Sequence, residues 1–404
     1  MKISNKLNQI LILFLLFLSK NFYAIEPIAY LNSLGYEPAQ KELASSKNGM
    51  VSTQHFLATA VGERILSRGG NAYDASIAIA FTLAVVLPRA GNIGGGGFMV
   101  IYDSQTQKPY SIDFREKAPQ MSTRDMYLTK DGSFNDKNLS TLGYLASGVP
   151  GTVAGLWDVH QKFGSLPWNE LLEDAIYFAE NGFKITPFLG DILFNYSEAL
   201  SIFPETKKIF QKNYPNFKDK MLIQKDLANT LRIIASQGRE GFYEGQIAKK
   251  IASEMKKNNG LITEDDLKKY NPSWRKPLIS NYRDTQIITM GPPSSGGLHV
   301  IQMLNIVENY DLKNMGHNST NYVNLLAEVM KYAYSDRSKY LGDPDFYDVP
   351  VEKIISKEYA AEINDNIDIG LSTPVDDIYP GKFLDRESHE TTHFSVVDEE
   401  GNVV

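Results

Sequence analysis

The sequence predicts a mixed α/β fold, because segments with helical periodicity and segments with strand character both occur along it. An apolar residue recurs every four positions from Leu57 to Ile65, and the pattern stops at two glycines, as it does at a helix end. Residues 75–86 are apolar on nearly every side, which is typical of a helix buried in a core. The segments 98–102 and 110–115 resemble two strands joined by a polar turn.

The chain is predicted to be mostly helical beyond these strands. A proline and a glycine bound the first helix of this part, at 150–164. A capping box at 263–266, with Asp in its last position, opens a further short helix. A strand is predicted at 285–290 and a long helix at about 321–335.

The composition excludes several classes of protein. The 404 residues carry 41 basic and 48 acidic side chains, a formal net charge of −7, so the chain lacks the basic surface that nucleic acids require. It has no cysteine, which excludes disulfide frameworks, thiolate zinc sites, iron–sulfur clusters and a cysteine nucleophile. Apolar residues make up 43% of the chain, which is enough for a large core and excludes a disordered protein.

Residues 1–24 are predicted to be a secretory signal peptide. Lys2 and Lys6 precede an apolar run at 10–18, and the small residue Ala24 follows at the cleavage position. This run is shorter than the roughly 20 apolar residues of a membrane span, and an uncleaved N-terminal anchor is the alternative interpretation. We therefore expect an exported protein, periplasmic or secreted, with no membrane span in its mature form.

Four consecutive glycines at 94–97 allow two interpretations. A phosphate-binding loop would lie between a strand and the N-terminus of a helix, whereas here a buried helix leads through the glycines into a strand. The alternative is backbone that packs closely at the start of a central strand. The order of the elements favours the packing interpretation over nucleotide binding.

No metal and no cofactor is expected from the remaining polar residues. The six histidines form no H-E-x-x-H pattern, and the closest two, His389 and His393, flank Thr391. Each histidine is interpreted as an ordinary structural or exposed residue. Asp336 and the acidic pair at 343–345 are interpreted as solvated side chains or as members of structural salt bridges.

Arg115 is the first candidate binding residue. It closes a predicted strand, in which Phe114 is expected to face the core while Asp113 and Arg115 point the other way. An arginine held in this way can bind a carboxylate with two hydrogen bonds. The alternative, which the spacing alone favours, is a structural Arg–Asp pair.

The last residues predict an incomplete hairpin. Residues 366–390 are predicted to form a loop and 391–398 a strand, followed by a turn and by Val403 and Val404. A strand that stops so early would leave an unpaired edge. We therefore expect the sequence to be a fragment of a longer product.

Segments along most of the chain from Gly49 onward closely resemble the gamma-glutamyltranspeptidases. The matching segments are GMVSTQHFLAT (49–59), GGNAYDASIA (69–78), LPRAGNIGGGGFM (87–99), IDFREKAP (112–119), SGVPGTVAGL (147–156), GFYEG (241–245), GPPSSGG (291–297), DRSKYLGDPDF (336–346) and TTHFSVVD (391–398). The resemblance implies an N-terminal-nucleophile hydrolase with a four-layer αββα sandwich. It also implies a precursor that cleaves its own Glu390–Thr391 bond into a large-subunit region, 25–390, and a small subunit beginning at 391–404, which form a heterodimer.

The resemblance further implies the site residues and the reaction. Thr391 would be the nucleophile, and its newly freed α-amino group, with an ordinary pKa of about 8, would be the base. Arg115 would bind the α-carboxylate of the substrate. The substrates would be glutathione and other γ-glutamyl compounds, with water, amino acids or peptides as acceptors.

Two rival functions stay open on the sequence. One is a related self-processing acylase acting on cephalosporin or glutaryl side chains, and the other is an inactive secreted binding homologue. In the resembled family, the donors of the oxyanion hole lie further into the small subunit than Val404. The fragment on its own is therefore expected to be inactive and poorly folded.

Overall fold

The computed structural model describes residues 44–133, 139–378 and 392–404. The strands of these residues are β1 Met50–Ser52, β2 Phe98–Asp103, β3 Lys108–Asp113, β4 Phe183–Lys184, β5 Met221–Leu222, β6 Ser273–Arg275, β7 Leu278–Tyr282, β8 Thr285–Thr289 and β9 Ser395–Val397. The helices are α1 Phe56–Ser67, α2 Ala72–Val86, α3 Thr152–Phe163, α4 Glu173–Asn181, α5 Pro187–Asn195, α6 Ser197–Ser201, α7 Pro204–Phe210, α8 Lys225–Gln237, α9 Glu240–Tyr243, α10 Gly245–Lys257, α11 Glu264–Lys269, α12 Ser295–Val307, α13 Leu312–Met315, α14 Thr320–Tyr340, α15 Val351–Ile354 and α16 Lys357–Asn364.

The described residues divide into two compact units. The first unit contains residues 44–96, 116–133, 139–271 and 392–404, and the second contains 97–115 and 272–378. The chain therefore enters the second unit at the end of the glycine run, leaves it after β3, and returns to it before β6.

Helix α2 is the centre of the first unit. Its residues are almost all buried, as their apolar character predicts. Asn71 and Asp74 form a capping box at its N-terminus, which starts the helix three residues before the predicted position. Gly62 of α1 lets the two helices approach closely, because a Cβ atom there would lie 2.6 Å from the Ile79 side chain.

The second unit combines a small sheet with a helical cluster. Strands β2, β3 and β6 form a three-stranded antiparallel sheet, and β7 pairs with β8 as a hairpin. Helices α12, α14 and α16 enclose an apolar cluster that includes Ile306, Leu325 and Ile363. The predicted long helix is confirmed and extends further, to Tyr340.

Two strand predictions need correction. Strand β3 ends at Asp113 rather than at Arg115, because Asp113 pairs with the first residue of each neighbouring strand, Phe98 of β2 and Ser273 of β6. Strand β9 covers Ser395–Val397 and leaves out 392–394 and Asp398 of the predicted strand, because β1, with which it pairs, is also three residues long. The turn after β9 is confirmed by an isolated bridge between Val397 and Val403.

Several predicted features lie outside the described residues. These are the signal peptide at 1–24, residues 379–390 of the predicted loop, and the cleavage residues Glu390 and Thr391. Within the described ranges, no helix has both the length and the apolar character needed to cross a membrane.

Candidate active site

Arg115 lies just beyond the end of β3, where the chain turns. Its backbone N–H donates to Oδ1 of Asp113 over 3.0 Å, a local side-chain bond that fixes the turn. Its side chain is exposed, and its guanidinium carbon lies 6.0 Å from the centroid of the Phe98 ring. Arg115 is therefore an exposed arginine whose backbone is held by Asp113 and whose side chain lies beside Phe98 of β2.

Asp113 does not share the exposure of Arg115, contrary to the predicted alternation. Asp113 and Phe114 are each 6% exposed. A buried carboxylate needs a compensating charge, and Nε of Arg275 supplies it over 2.8 Å to Oδ2 of Asp113. The structural Arg–Asp pair considered for this segment therefore exists, but its arginine is Arg275.

The glycine run packs against protein in both units, which confirms the packing interpretation at two positions. In the second unit, a Cβ atom at Gly97 would lie 3.0 Å from the Phe114 ring, and the backbones of these two residues exchange hydrogen bonds of 3.3 and 2.9 Å. In the first unit, the Gly95 carbonyl accepts from the N–H groups of Gly151 and Thr152 at the start of α3. These contacts hold Gly95 and Gly97 in place through their backbones.

The segment after Thr391 is fixed within the first unit. Strand β9 pairs antiparallel with β1, with Val51 opposite Val396. Gly49, just before β1, has φ +110°, and a Cβ atom there would lie 2.7 Å from the Val397 carbonyl oxygen. Thr391 precedes the first residue of this anchored strand, Ser395, by four positions.

The two residues that follow Thr391 are the closest described neighbours of the predicted nucleophile in sequence. The Thr392 hydroxyl is buried and has no hydrogen-bond partner among the described residues. Nε2 of the exposed His393 lies 3.2 Å from Oγ of Ser395.

The other histidines of interest have structural roles. Nδ1 of His55 accepts from the Leu57 N–H over 3.3 Å and caps α1, and burial lowers the pKa of His55 to about 4. His299 is buried as well, with Nδ1 2.8 Å from Oε1 of Gln302. Within the described ranges, no group of three His, Cys, Asp or Glu side chains is arranged to hold a metal ion.

Two acidic residues of the predicted charged segments form structural contacts, Asp336 in the interior and Asp345 at the surface. Asp336 is 1% exposed and accepts hydrogen bonds from Gln302 and from the Tyr359 hydroxyl, and burial raises its pKa. Asp345 accepts from both terminal nitrogens of Arg275 at 3.0 Å. Arg275 therefore joins Asp113 to Asp345, a connection that no local sequence pattern predicts, because the three residues lie far apart in the chain.

Comparison with solved structures defines the class of protein. The chain is similar to the crystal structure of Helicobacter pylori gamma-glutamyltranspeptidase, with 44% identity, a TM-score of 0.79, and coverage of 88% of this chain and 99% of that chain. It is also similar to a cephalosporin acylase from Bacillus halodurans, with 27% identity, a TM-score of 0.78, and coverage of 91% and 66%. The fold is that of the N-terminal-nucleophile hydrolases, so the expectation of a mixed helix-and-sheet fold of this class is confirmed.

Residues 58–404 match the family model described as gamma-glutamyltranspeptidase, and the chain belongs to that family. It is 46% identical over 380 residues to a glutathione hydrolase proenzyme of Escherichia coli, a match that covers 94% of this chain. The chain spans about 64% of the length of that relative.

Proposed function

We propose that this protein is a self-processing γ-glutamyl acyltransferase that cleaves glutathione and related γ-glutamyl compounds. The observation that carries the proposal is the family match over residues 58–404, which includes Arg115 and Thr391 in the motifs that carry the resemblance. The E. coli relative, named as a glutathione hydrolase proenzyme, supports both the donor and the processing.

The first step is hydrolysis of the Glu390–Thr391 peptide bond. It consumes one water and leaves a carboxylate on Glu390 and an amino group on Thr391. Before this step the Thr391 nitrogen belongs to an amide and cannot accept a proton. Afterwards an amine of ordinary pKa about 8 lies beside the hydroxyl that it must activate. The two resulting chains stay together as a heterodimer.

The second step is acyl transfer through an ester. The Thr391 hydroxyl oxygen attacks the γ-amide carbon of the donor, and its proton passes to the α-amino group. That proton then leaves with the departing amine, and a γ-glutamyl ester of Thr391 forms. Water or the amino group of an acceptor amino acid or peptide attacks the ester, which releases the product and restores the hydroxyl.

Arg115 selects the donor by its α-carboxylate. Arg115 is an exposed residue whose backbone is held by the Asp113 carboxylate, and the planar fork of a guanidinium can donate two parallel hydrogen bonds to a carboxylate. A site built for these bonds discriminates against compounds that lack the carboxylate.

The test measures amine release by the full-length gene product from two anilides, a γ-glutamyl anilide and a glutaryl anilide that lacks the α-amino group. We expect the γ-glutamyl compound to react at least tenfold faster. Activity on the glutaryl anilide alone would instead favour the rival acylase, to which the similarity with the B. halodurans enzyme gives support. No activity on either anilide would favour the non-catalytic binding homologue.

We also infer export to the periplasm or medium, on the basis of the signal-like residues 1–24. Cell fractionation tests this: a mature form that lacks these residues is expected outside the cytoplasm. Full-length protein confined to the cytoplasm or retained in the membrane would contradict it.

A further inference from the structure

The Arg275 side chain makes three hydrogen bonds within the second unit. Nε donates to Oδ2 of Asp113 over 2.8 Å, and the two terminal nitrogens donate to the two oxygens of Asp345 at 3.0 Å. Only 15% of the Arg275 side chain is exposed, against 8% for Asp113 and 48% for Asp345. Asp345 therefore holds the guanidinium from the outer side, while Asp113 binds it from the inner side.

The register of the sheet explains why these side chains meet. Arg275 on β6 lies directly opposite Ser111 on β3, and the Ser111 hydroxyl donates to the Arg275 carbonyl over 2.8 Å. Asp113, two residues beyond Ser111, projects from the same face of β3. Arg275 is thus the diagonal cross-strand neighbour of Asp113, a separation that a long side chain can span.

The carboxylate of Asp113 connects Arg275 to Arg115. Its Oδ2 accepts from Arg275, and its Oδ1 accepts from the Arg115 backbone N–H over 3.0 Å. The orientation of the turn that carries Arg115 therefore depends on how the Asp113 carboxylate is held.

We propose that Arg275 is a positioning residue for substrate recognition, acting through Asp113 on Arg115. The proposal rests on the function proposed above, in which Arg115 binds the α-carboxylate of the donor. Arg275 would have two effects: it keeps the Asp113 carboxylate aligned with the Arg115 N–H, and it neutralises the charge of that carboxylate.

Neutralisation matters because Asp113 and Arg115 are separated by one residue only. Without Arg275, Asp113 would be a buried carboxylate with no compensating charge, an arrangement of high free energy. The nearest cation along its own segment is then the Arg115 guanidinium. We expect Asp113 to attract that guanidinium and to compete with the carboxylate of the substrate.

The experiment compares Arg275→Gln, Asp113→Asn and the double variant in the full-length gene product. Two donors are used: L-γ-glutamyl-4-nitroanilide and its analogue with the α-carboxylate converted to an amide. Arg275→Gln is expected to raise KM for the first donor roughly tenfold or more, the effect of a lost charged hydrogen bond. The value of kcat should stay within about threefold, and KM for the amide analogue should not change.

The double variant distinguishes a positioning role of Arg275 from a general disruption of the protein structure. The neutral amide that Asp113→Asn introduces can still accept a hydrogen bond from the Arg115 N–H, but it does not attract the Arg115 guanidinium. The KM of the double variant for the carboxylate donor should therefore return most of the way to the wild-type value. An equal increase in KM for both donors, or a double variant with a higher KM for the carboxylate donor than Arg275→Gln, would overturn the proposal. Arg232→Gln, which breaks an exposed pair with Glu180 in the first unit, is the matched control and should leave both KM values unchanged.

Two milder variants keep the test decisive if Arg275→Gln fails to accumulate. Arg275→Lys retains the charge but loses the fork, and Asp345→Asn weakens its outer support. Both should raise KM for the carboxylate donor several-fold, and unchanged KM in both would overturn the proposal.

If Arg115→Ala raises this KM and the Arg275 variants do not, only the role of Arg275 fails. If Arg115→Ala has no effect either, the proposed substrate recognition fails as well.

Discussion

Oδ2 of Asp398 accepts a hydrogen bond of 2.9 Å from the backbone N–H of Ala72, the first residue of α2. The same carboxylate accepts from the backbone and the side chain of Asn402, both at 2.8 Å, and Asp398 is 5% exposed. A buried carboxylate at a helix N-terminus satisfies an N–H that lacks a partner within the helix and interacts favourably with the helix dipole. This contact ties the segment that follows Thr391 to the central helix of the first unit.

Asp398→Ala should therefore destabilise the protein. Removing the carboxylate leaves the buried Ala72 N–H and the half-buried Asn402 donors without an acceptor, which costs about 2–3 kcal/mol in free energy of unfolding. Thermal unfolding measured by circular dichroism checks this as a lower Tm. Asp191→Ala, which removes an exposed aspartate of α5 in the same unit, is the control and should leave Tm nearly unchanged. Equal Tm values for the two variants would contradict the role of Asp398.

Gly97→Ala should lower Tm more than Gly94→Ala. The added methyl at Gly97 would lie 3.0 Å from the Phe114 ring, which is buried, whereas at Gly94 the nearest atom would be 3.5 Å away. The first substitution forces a displacement at the start of β2 and is expected to cost about 1–3 kcal/mol. Scanning calorimetry of both variants measures the difference. A larger decrease in Tm in Gly94→Ala than in Gly97→Ala would contradict the packing role of the glycine run.

The stability of the wild-type protein should fall on acidification partly through His55. Burial lowers the pKa of His55 to about 4 in the folded protein, while an unfolded histidine titrates near 6.5. Between these values the unfolded state binds more protons, so the free energy of unfolding decreases as pH falls from about 6.5 to 4. From pH 7 to pH 5 this contribution amounts to about 2 kcal/mol.

His55→Asn isolates that contribution, since asparagine also caps a helix N-terminus and does not titrate. The Tm of the variant should decrease less than that of the wild type between pH 7 and pH 5. Equal decreases in Tm in the two proteins would show that His55 does not titrate as inferred.

Arg115→Ala should impair binding of the donor without affecting self-cleavage. Loss of two charged hydrogen bonds to the α-carboxylate is expected to raise KM for a γ-glutamyl donor about a hundredfold. Steady-state kinetics give KM, and a denaturing gel shows whether both subunits still form. An unchanged KM in a variant that is fully cleaved would remove Arg115 from substrate binding.

Patterns local in the sequence predicted the fold best. The apolar surface of α2 and the capping box at Thr263 required no distant partner, and both are present. The burial of Asp113 could not be predicted, because its compensating charge comes from Arg275, 162 positions away. The pairing of β9 with β1 likewise joins distant parts of the chain. The acidic turn at Asp345 was the available signal for the Arg275 contact, but no local pattern identified its partner.

The most direct test of the account is N-terminal sequencing of the smaller chain in the purified, full-length gene product. We predict a sequence beginning at Thr391 and reading Thr-Thr-His-Phe-Ser, and its absence from Thr391→Ala protein, which should remain a single chain. A smaller chain that begins at another residue, or a cleaved Thr391→Ala variant, would contradict the proposal that cleavage creates the nucleophile.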